Sequence, residues 1–322
     1  VSAELPERVS AYYRSLARSL DPTNDPIAAQ FRTSTQENEW KPYESADPLS
    51  DASYETVPRL IHHYQRRALV LANDQCAMYC RHCFRRHLTG GGSAEITTDE
   101  ITALADYLGE HDEIVEVVIS GGDPLFMQAD RLISLLATIR EARPDVTLRI
   151  STRVPVVVPT RVTEHLAERI SECGPVWLVI QCNHPAEITD RFHTAIGHVR
   201  NAGIPILNQS VLLRGVNDSS EVLAELFERL VNARVKPYYL FQGDLAVGTS
   251  HFRVNLDRGL ELMKTLRGML SGLALPRYAV DLPGGGGKIE LTESTVVRRE
   301  LEWYLLRDGS GREYRYPREH AQ

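Results

Sequence analysis

Cysteine, methionine and tryptophan are scarce in this chain, and the first scarcity narrows its chemistry most. The 322 residues hold five cysteines, four methionines and three tryptophans. Five thiols cannot all pair, and a chain of this size needs no disulfide staples. The thiols are therefore expected to be reduced, in a cytoplasmic protein, and to do chemistry or bind metal. No apolar run reaches the length of a membrane span, so no membrane partner is expected. The opening residues, VSAELPERVS, lack a basic stretch followed by an apolar one, so no secretory leader is read there. Long basic runs are missing too, and the formal net charge is −7, which argues against nucleic acid as a partner. Internal repeats and low-complexity tracts are absent. What remains is an ordinary globular composition, 43% hydrophobic, long enough for one large domain or two small ones.

From residue 66 a rhythm begins. Short β-branched runs at 68–72, 114–120, 147–152, 176–181, 205–211 and 237–242 predict strands. Between them, 130–142, 161–172 and 219–233 have helical spacing; in the last, Val222, Leu223, Leu226, Phe227 and Leu230 form one apolar stripe. Such alternation predicts parallel strands with right-handed crossovers. By itself it leaves an open doubly wound sheet and a full or partial barrel both open. Polar clusters close the strands: SGGD, STR, QCNH, NQS and QGD. The C-terminal ends of parallel strands form the ligand-binding rim, so these clusters are expected to share one site. Ahead of this unit, residues 1–57 read as a helical and then extended arm, with RVSAYYRSLARSL amphipathic at its start. Behind it, 295–322 form a short extension with a hairpin around DGSG.

Three cysteines, Cys76, Cys80 and Cys83, fall within CAMYCRHC just after the first strand. Zinc usually takes four ligands, often as two C-x2-C pairs, and no second pair exists here. A zinc ion borrowing a distant ligand stays open, but three thiolates suit a [4Fe–4S] cluster with one iron left free. A second outlying segment is DLPGGGGKIEL. It fails the P-loop pattern, with Leu282 where glycine is needed and Ile289 after the lysine. Lys288 on a glycine arm can instead attach an aldehyde cofactor, or can be a solvated lysine on a turn; the residues alone leave both open.

The cysteine motif resembles that of the radical S-adenosylmethionine (SAM) superfamily, and VISGGDPL is similar to its Gly-Gly-Asp element. The stretch from about Pro58 to about Ser294 resembles the lysine 2,3-aminomutase family, through CAMYCRHCFRR, ISGGDPL, NQSVLLRGVND, KPYYLFQGDLAVGTSHFR and VDLPGGGGK. That resemblance implies a partial (β/α)6 TIM barrel over 58–294 and three cofactors: a [4Fe–4S] cluster, SAM and pyridoxal phosphate (PLP). It implies cluster ligation by Cys76, Cys80 and Cys83, and attachment of PLP at Lys288. Ser120, Gly121, Gly122, Asp123, Arg153 and Gln209 then belong to the SAM side, together with the less defined Gln181–His184 and Asn208. Tyr64 and Arg67 match positions near the PLP ring and phosphate, while His63 stands where longer members often have arginine. Arg85 matches the arginine that grips the substrate carboxylate, and Asp244 and Asp281 match two aspartates that bind a distal ammonium.

The implied reaction moves an α-amino group to the β-carbon of a basic amino acid, most simply lysine, with arginine as the close competitor. A flavodoxin- or ferredoxin-type electron donor and a homo-oligomer are further expectations. The structural zinc of longer members is not expected, because Ser219 occupies its inner cysteine position and no cysteine follows Cys182. The rivals are a radical SAM dehydratase or epimerase, and a non-catalytic metal or redox module.

Overall fold

A computed structural model of the chain describes residues 5–89 and 95–318. One sheet of ten strands runs in chain order: β1 (Glu55–Val57), β2 (Leu60–Tyr64), β3 (Arg67–Asn73), β4 (Glu116–Gly121), β5 (Thr147–Thr152), β6 (Val176–Ile180), β7 (Ile206–Val211), β8 (Lys236–Phe241), β9 (Arg277–Leu282) and β10 (Gly287–Glu290). Strands β3 to β9 are parallel, and β1, β2 and β10 pair antiparallel at the two edges. The six strands expected from the sequence are present. A seventh parallel strand, β9, joins them.

Crossover helices link the parallel strands: α1 (Thr98–Glu110), α2 (Ala129–Ala142), α3 (Glu164–Glu172), α4 (Asp190–Asn201), α5 (Ser220–Asn232) and α6 (Leu256–Met269). Most begin on a side chain that accepts an otherwise unpaired backbone N–H: Thr97, Thr163, Thr189, Ser219 and Asn255. Ser219 thus has a structural use as the cap of α5. The buried stripe of α5 is Leu223, Ala224, Leu226, Phe227 and Leu230, with Val222 only half-buried. Among the described residues no helix is long and apolar enough to cross a membrane.

The arm differs from expectation. The amphipathic start yields a single helical turn, Ala11–Arg14. The Asp25 carboxylate accepts the Arg18 and Ser19 N–H groups, which diverts the chain from a longer helix. The Ser10 hydroxyl donates to the Val157 carbonyl and seats the turn on the barrel, where Tyr13, Ile27 and Phe31 join the core. The expected C-terminal hairpin is present as β12 (Trp303–Arg307) and β13 (Glu313–Pro317), and β11 (Val296–Arg299) extends it to three strands.

Sheet edges β1 and β10 are not hydrogen-bonded to each other, so the barrel is partial. Side chains bridge its open side. The Lys288 N–H donates to the Tyr64 hydroxyl at 3.0 Å, and His63 Nε2 lies 2.8 Å from the Gly285 carbonyl. Tyr54 of the arm stacks on His63 at 4.0 Å between centroids. Gly285 has φ +73°, and a Cβ there would come within 2.8 Å of the Tyr54 ring. Part of the glycine run is therefore explained by this close approach of arm and barrel.

Candidate active site

In a strand, residues two apart share a face. That period turns Val118 and Ser120, Arg149 and Ser151, Gln209 and Val211, and Tyr239 and Phe241 into one cavity of about 280 Å³. The site residues given individual roles from the sequence all line it: the three cysteines, Ser120 to Asp123, Arg153, Gln209, Tyr64, Arg67, Arg85, Asp244, Asp281 and Lys288. Of the less defined rim residues, Gln181 lines it, while Asn183, His184 and Asn208 do not. Asn208 instead clamps the backbone of Cys182, accepting from its N–H at 2.9 Å and donating to its carbonyl at 3.2 Å. His184 caps a short turn through Ala186 N–H.

The cysteine loop follows β3 and rests on the two glycines at the end of β4. Gly121 has φ +112°, and its Cβ would meet the Asn73 carbonyl at 2.5 Å. A Cβ on Gly122 would lie 2.4 Å from the Gln75 carbonyl. Asn73 ties the layers together, donating from Nδ2 to the carbonyls of Gln75 and Asp123. The glycine pair thus has a packing reason independent of any ligand. Gly122→Ala is expected to push the cysteine loop off the sheet at a cost of about 1–3 kcal/mol. Iron content after anaerobic reconstitution should fall by more than half, and the melting temperature should drop. Full iron content in the variant would show that this contact does not seat the loop.

The three thiols are free. Burial, and beyond it the Cys80 charge, pushes Cys83 up to about 12, and burial raises Cys76 well above the ordinary thiol value. Such thiols become thiolates when a cation arrives to hold them. Three clustered thiols without a second cysteine pair suit a [4Fe–4S] cluster better than a four-ligand zinc site.

Beside the thiols, Arg153 Nη1 donates to Cys80 Sγ at 2.9 Å. Its Nη2 donates to Gln30 Oε1 at 2.5 Å and Glu187 Oε1 at 2.7 Å. Its Nε is buried without a hydrogen-bond partner among the described residues. An orphan guanidinium donor on a cavity wall suits a carboxylate ligand. Asp123 is held by the Thr152 hydroxyl at 2.6 Å and the Arg153 N–H at 2.7 Å, and burial lifts its carboxyl to about 6.

On the opposite wall, Lys288 faces Asp281 across the β9–β10 ladder. Its Nζ lies 2.9 and 2.7 Å from the two carboxylate oxygens and 3.8 Å from the Phe241 ring centre. Asp244 follows β8. Burial first, and then the nearby Asp281 charge, raise its carboxyl to about 7. The C-terminal sheet steadies this loop, since the Tyr316 hydroxyl donates to the Gly243 carbonyl at 2.7 Å. The Arg67 guanidinium lies over the Tyr64 ring at 4.2 Å. An adjoining hollow of about 270 Å³ is lined by Tyr64, Arg67, Tyr239, Arg277, Lys288 and Glu290. Arg85 donates from Nε to Asp51 Oδ2 at 2.7 Å.

Sequence reasoning missed Phe241, Arg277, Asp51 and the Gln30–Glu187 support of Arg153. The period of two in PYYLFQ could have flagged Phe241. The arm residues carry no local signal.

Residues 71–227 match the Radical SAM superfamily, and residues 263–321 match the family described as Lysine-2,3-aminomutase. The L-lysine 2,3-aminomutase of Methanococcus maripaludis is 40% identical, over 95% of this chain and 71% of its own length. The glutamate 2,3-aminomutase of Clostridioides difficile is 36% identical, over 94% of this chain and 72% of its own. Among solved structures, SuiB of Streptococcus suis bound to S-adenosylmethionine has a TM-score of 0.50 at 12% identity, covering 67% of this chain and 50% of that one, a likeness of fold alone.

Proposed function

This chain belongs to the lysine 2,3-aminomutase family of radical SAM enzymes, and on that premise we propose that it moves the α-amino group of L-lysine to the β-carbon, giving L-β-lysine. Radical SAM enzymes use a [4Fe–4S] cluster and SAM, and these together supply the radical that removes hydrogen from the substrate. We assign PLP as the further cofactor; it supplies the aldehyde through which an amino nitrogen can pass between neighbouring carbons.

The chain's residues divide the work. Cys76, Cys80 and Cys83 hold the cluster. Ser120, Gly121, Gly122, Asp123, Arg153 and Gln209 hold SAM, with the Asp123 carboxylate suited to an ammonium and Arg153 Nε to a carboxylate. Lys288 is the attachment point for PLP; Tyr64 borders its ring, and Arg67, beside the Arg277 hollow, suits its phosphate. Arg85 takes the substrate carboxylate. In the structure Asp281 is paired with the Lys288 ammonium. Once Lys288 gives up that charge, Asp281 is left without its cation and, with Asp244, takes the distal ammonium of lysine.

The observation that carries the substrate assignment is this pair of aspartates, with Asp244 raised by Asp281 among other causes, on the wall that bears Lys288. Two carboxylates repelling each other gain by admitting a cation. The glutamate 2,3-aminomutase relative marks the contrast, because an anionic side chain would meet repulsion at this wall.

The pH dependence has a definite sign. With Lys288 charged, the Asp244 carboxyl is raised to about 7, and only its ionised form pairs with an ammonium. Loss of the Lys288 charge removes one influence that lowers it, so kcat/KM for lysine should rise with pH through 7 and above, and fall about tenfold per unit on the acid side. Asp244→Asn should lose this limb. A wild-type profile flat from pH 6 to 8 would contradict the assignment.

The direct test is anaerobic reconstitution with iron, sulfide, SAM, PLP and a reductant, offering lysine, arginine and glutamate separately. Chromatography with mass detection should find the β-isomer from lysine. Arginine product alone would keep the chemistry and overturn the substrate. SAM cleavage without any β-isomer would overturn the mutase reading.

A further inference from the structure

The arm brings a charge to the cavity that nothing in the barrel requires. Asp51 and Leu49 line the same space as Arg85 and Lys288. Asp51 opens a short turn, Asp51–Ser53, entered through Ser50 with φ 58°. The Asp47 carboxylate accepts the N–H groups of Asp51 at 3.0 Å and Ala52 at 3.1 Å, which fixes the turn. Three residues on, Tyr54 is stacked on His63, and its carbonyl accepts the His62 N–H at 2.9 Å. The turn is therefore held on both sides over the open edge of the barrel.

We propose that Asp51 is a positioning residue for Arg85: it fixes the guanidinium through Nε so that the two Nη groups present a fork to the substrate carboxylate. The Arg85 and Asp51 side chains are only 10% and 13% exposed. Among the described residues, Asp51 is the one acceptor of an Arg85 side-chain hydrogen bond. The Arg85 Cζ also lies 4.6 Å from the Phe84 ring centre, so Nε is taken by Asp51, Phe84 packs against the guanidinium, and the Nη edge is left. A carboxylate is recognised bidentately by such an edge. Without Asp51 the guanidinium would keep its charge and lose its fixed plane.

This inference rests on the substrate reading above, and its test separates the two. The readout is the change in cofactor absorbance when lysine is titrated into the PLP-loaded enzyme, which reports binding without turnover. Asp51→Asn should weaken lysine binding about tenfold or more, the scale of one lost hydrogen bond to a charged group. The KM for lysine should rise in parallel while kcat changes less than about threefold. Asp51→Glu should recover most of the loss. In an Arg85→Lys background, which cannot form the fork, Asp51→Asn should have little further effect. Equal losses in both backgrounds, or unchanged binding in Asp51→Asn, would overturn the inference. A wild-type enzyme whose absorbance does not respond to lysine would instead overturn the substrate reading.

Discussion

Lys288→Arg is expected to abolish β-lysine formation, lowering turnover at least 10³-fold, or about 4 kcal/mol of barrier. The choice of arginine matters. Lys288 does three things in the structure: it pairs with Asp281, it lies 3.8 Å from the Phe241 ring centre, and it presents a primary amine to the cavity. Arginine keeps a cation for Asp281 and a flat surface for Phe241, but its guanidinium stays protonated and cannot attach an aldehyde. The variant should therefore fold and take up iron and sulfide like the wild type. It should lack the visible absorbance of a lysine-bound cofactor, and borohydride should fix no pyridoxyl group to the peptide that contains residue 288. Retained activity in Lys288→Arg would remove Lys288 from the chemistry. A parallel loss of cluster would mean that the residue matters for folding instead.

The second large effect concerns the two aspartates. Asp244→Asn should reduce kcat/KM for lysine by roughly 30- to 1,000-fold, the range for removing one partner of a desolvated ion pair, ~2–4 kcal/mol. Asp281→Asn should cost at least as much, because Asp281 also holds Lys288 before the cofactor arrives. The losses should appear in KM more than in kcat, since the distal ammonium lies away from the reacting carbons. Discrimination should change with them: the preference for lysine over norleucine, which lacks the distal amino group, should shrink in both variants. Steady-state kinetics with the two substrates measures this directly. A preference unchanged in Asp244→Asn would place the ammonium elsewhere.

Much of this site was legible in the sequence because its parts lie at strand ends, where local pattern and position coincide. The run 147–152 is β5 to the residue, and STR, SGGD and QGD fall at the cavity as expected. The cysteine triad needed no tertiary information, since its spacing alone constrains the chemistry. Strand β9 was harder to read. RYAVDL is short and sits between a proline-containing turn and four glycines, and only pairing with β8 and β10 identifies it. Asn208 misled because a polar residue on a strand looks the same whether it faces the cavity or clamps a neighbouring backbone. Asp51, Gln30 and Tyr13 were invisible for another reason. They sit in an arm where no local pattern marks them, and they reach Arg85 and Arg153 through contacts spanning 34 to 140 residues. The same arm shows why amphipathic spacing near the start gave one helical turn: contacts with Asp25 and Val157 outcompete the weak local preference.

In the proposed reaction nitrogen moves between adjacent carbons of lysine within one molecule. The decisive substrate is L-lysine carrying ¹⁵N only at its α-nitrogen, turned over by the fully reconstituted enzyme and read by NMR. The product should carry ¹⁵N bonded to the β-carbon, with no loss of label to ammonia. Label released as ammonia, or remaining on the α-carbon of an altered product, would contradict it.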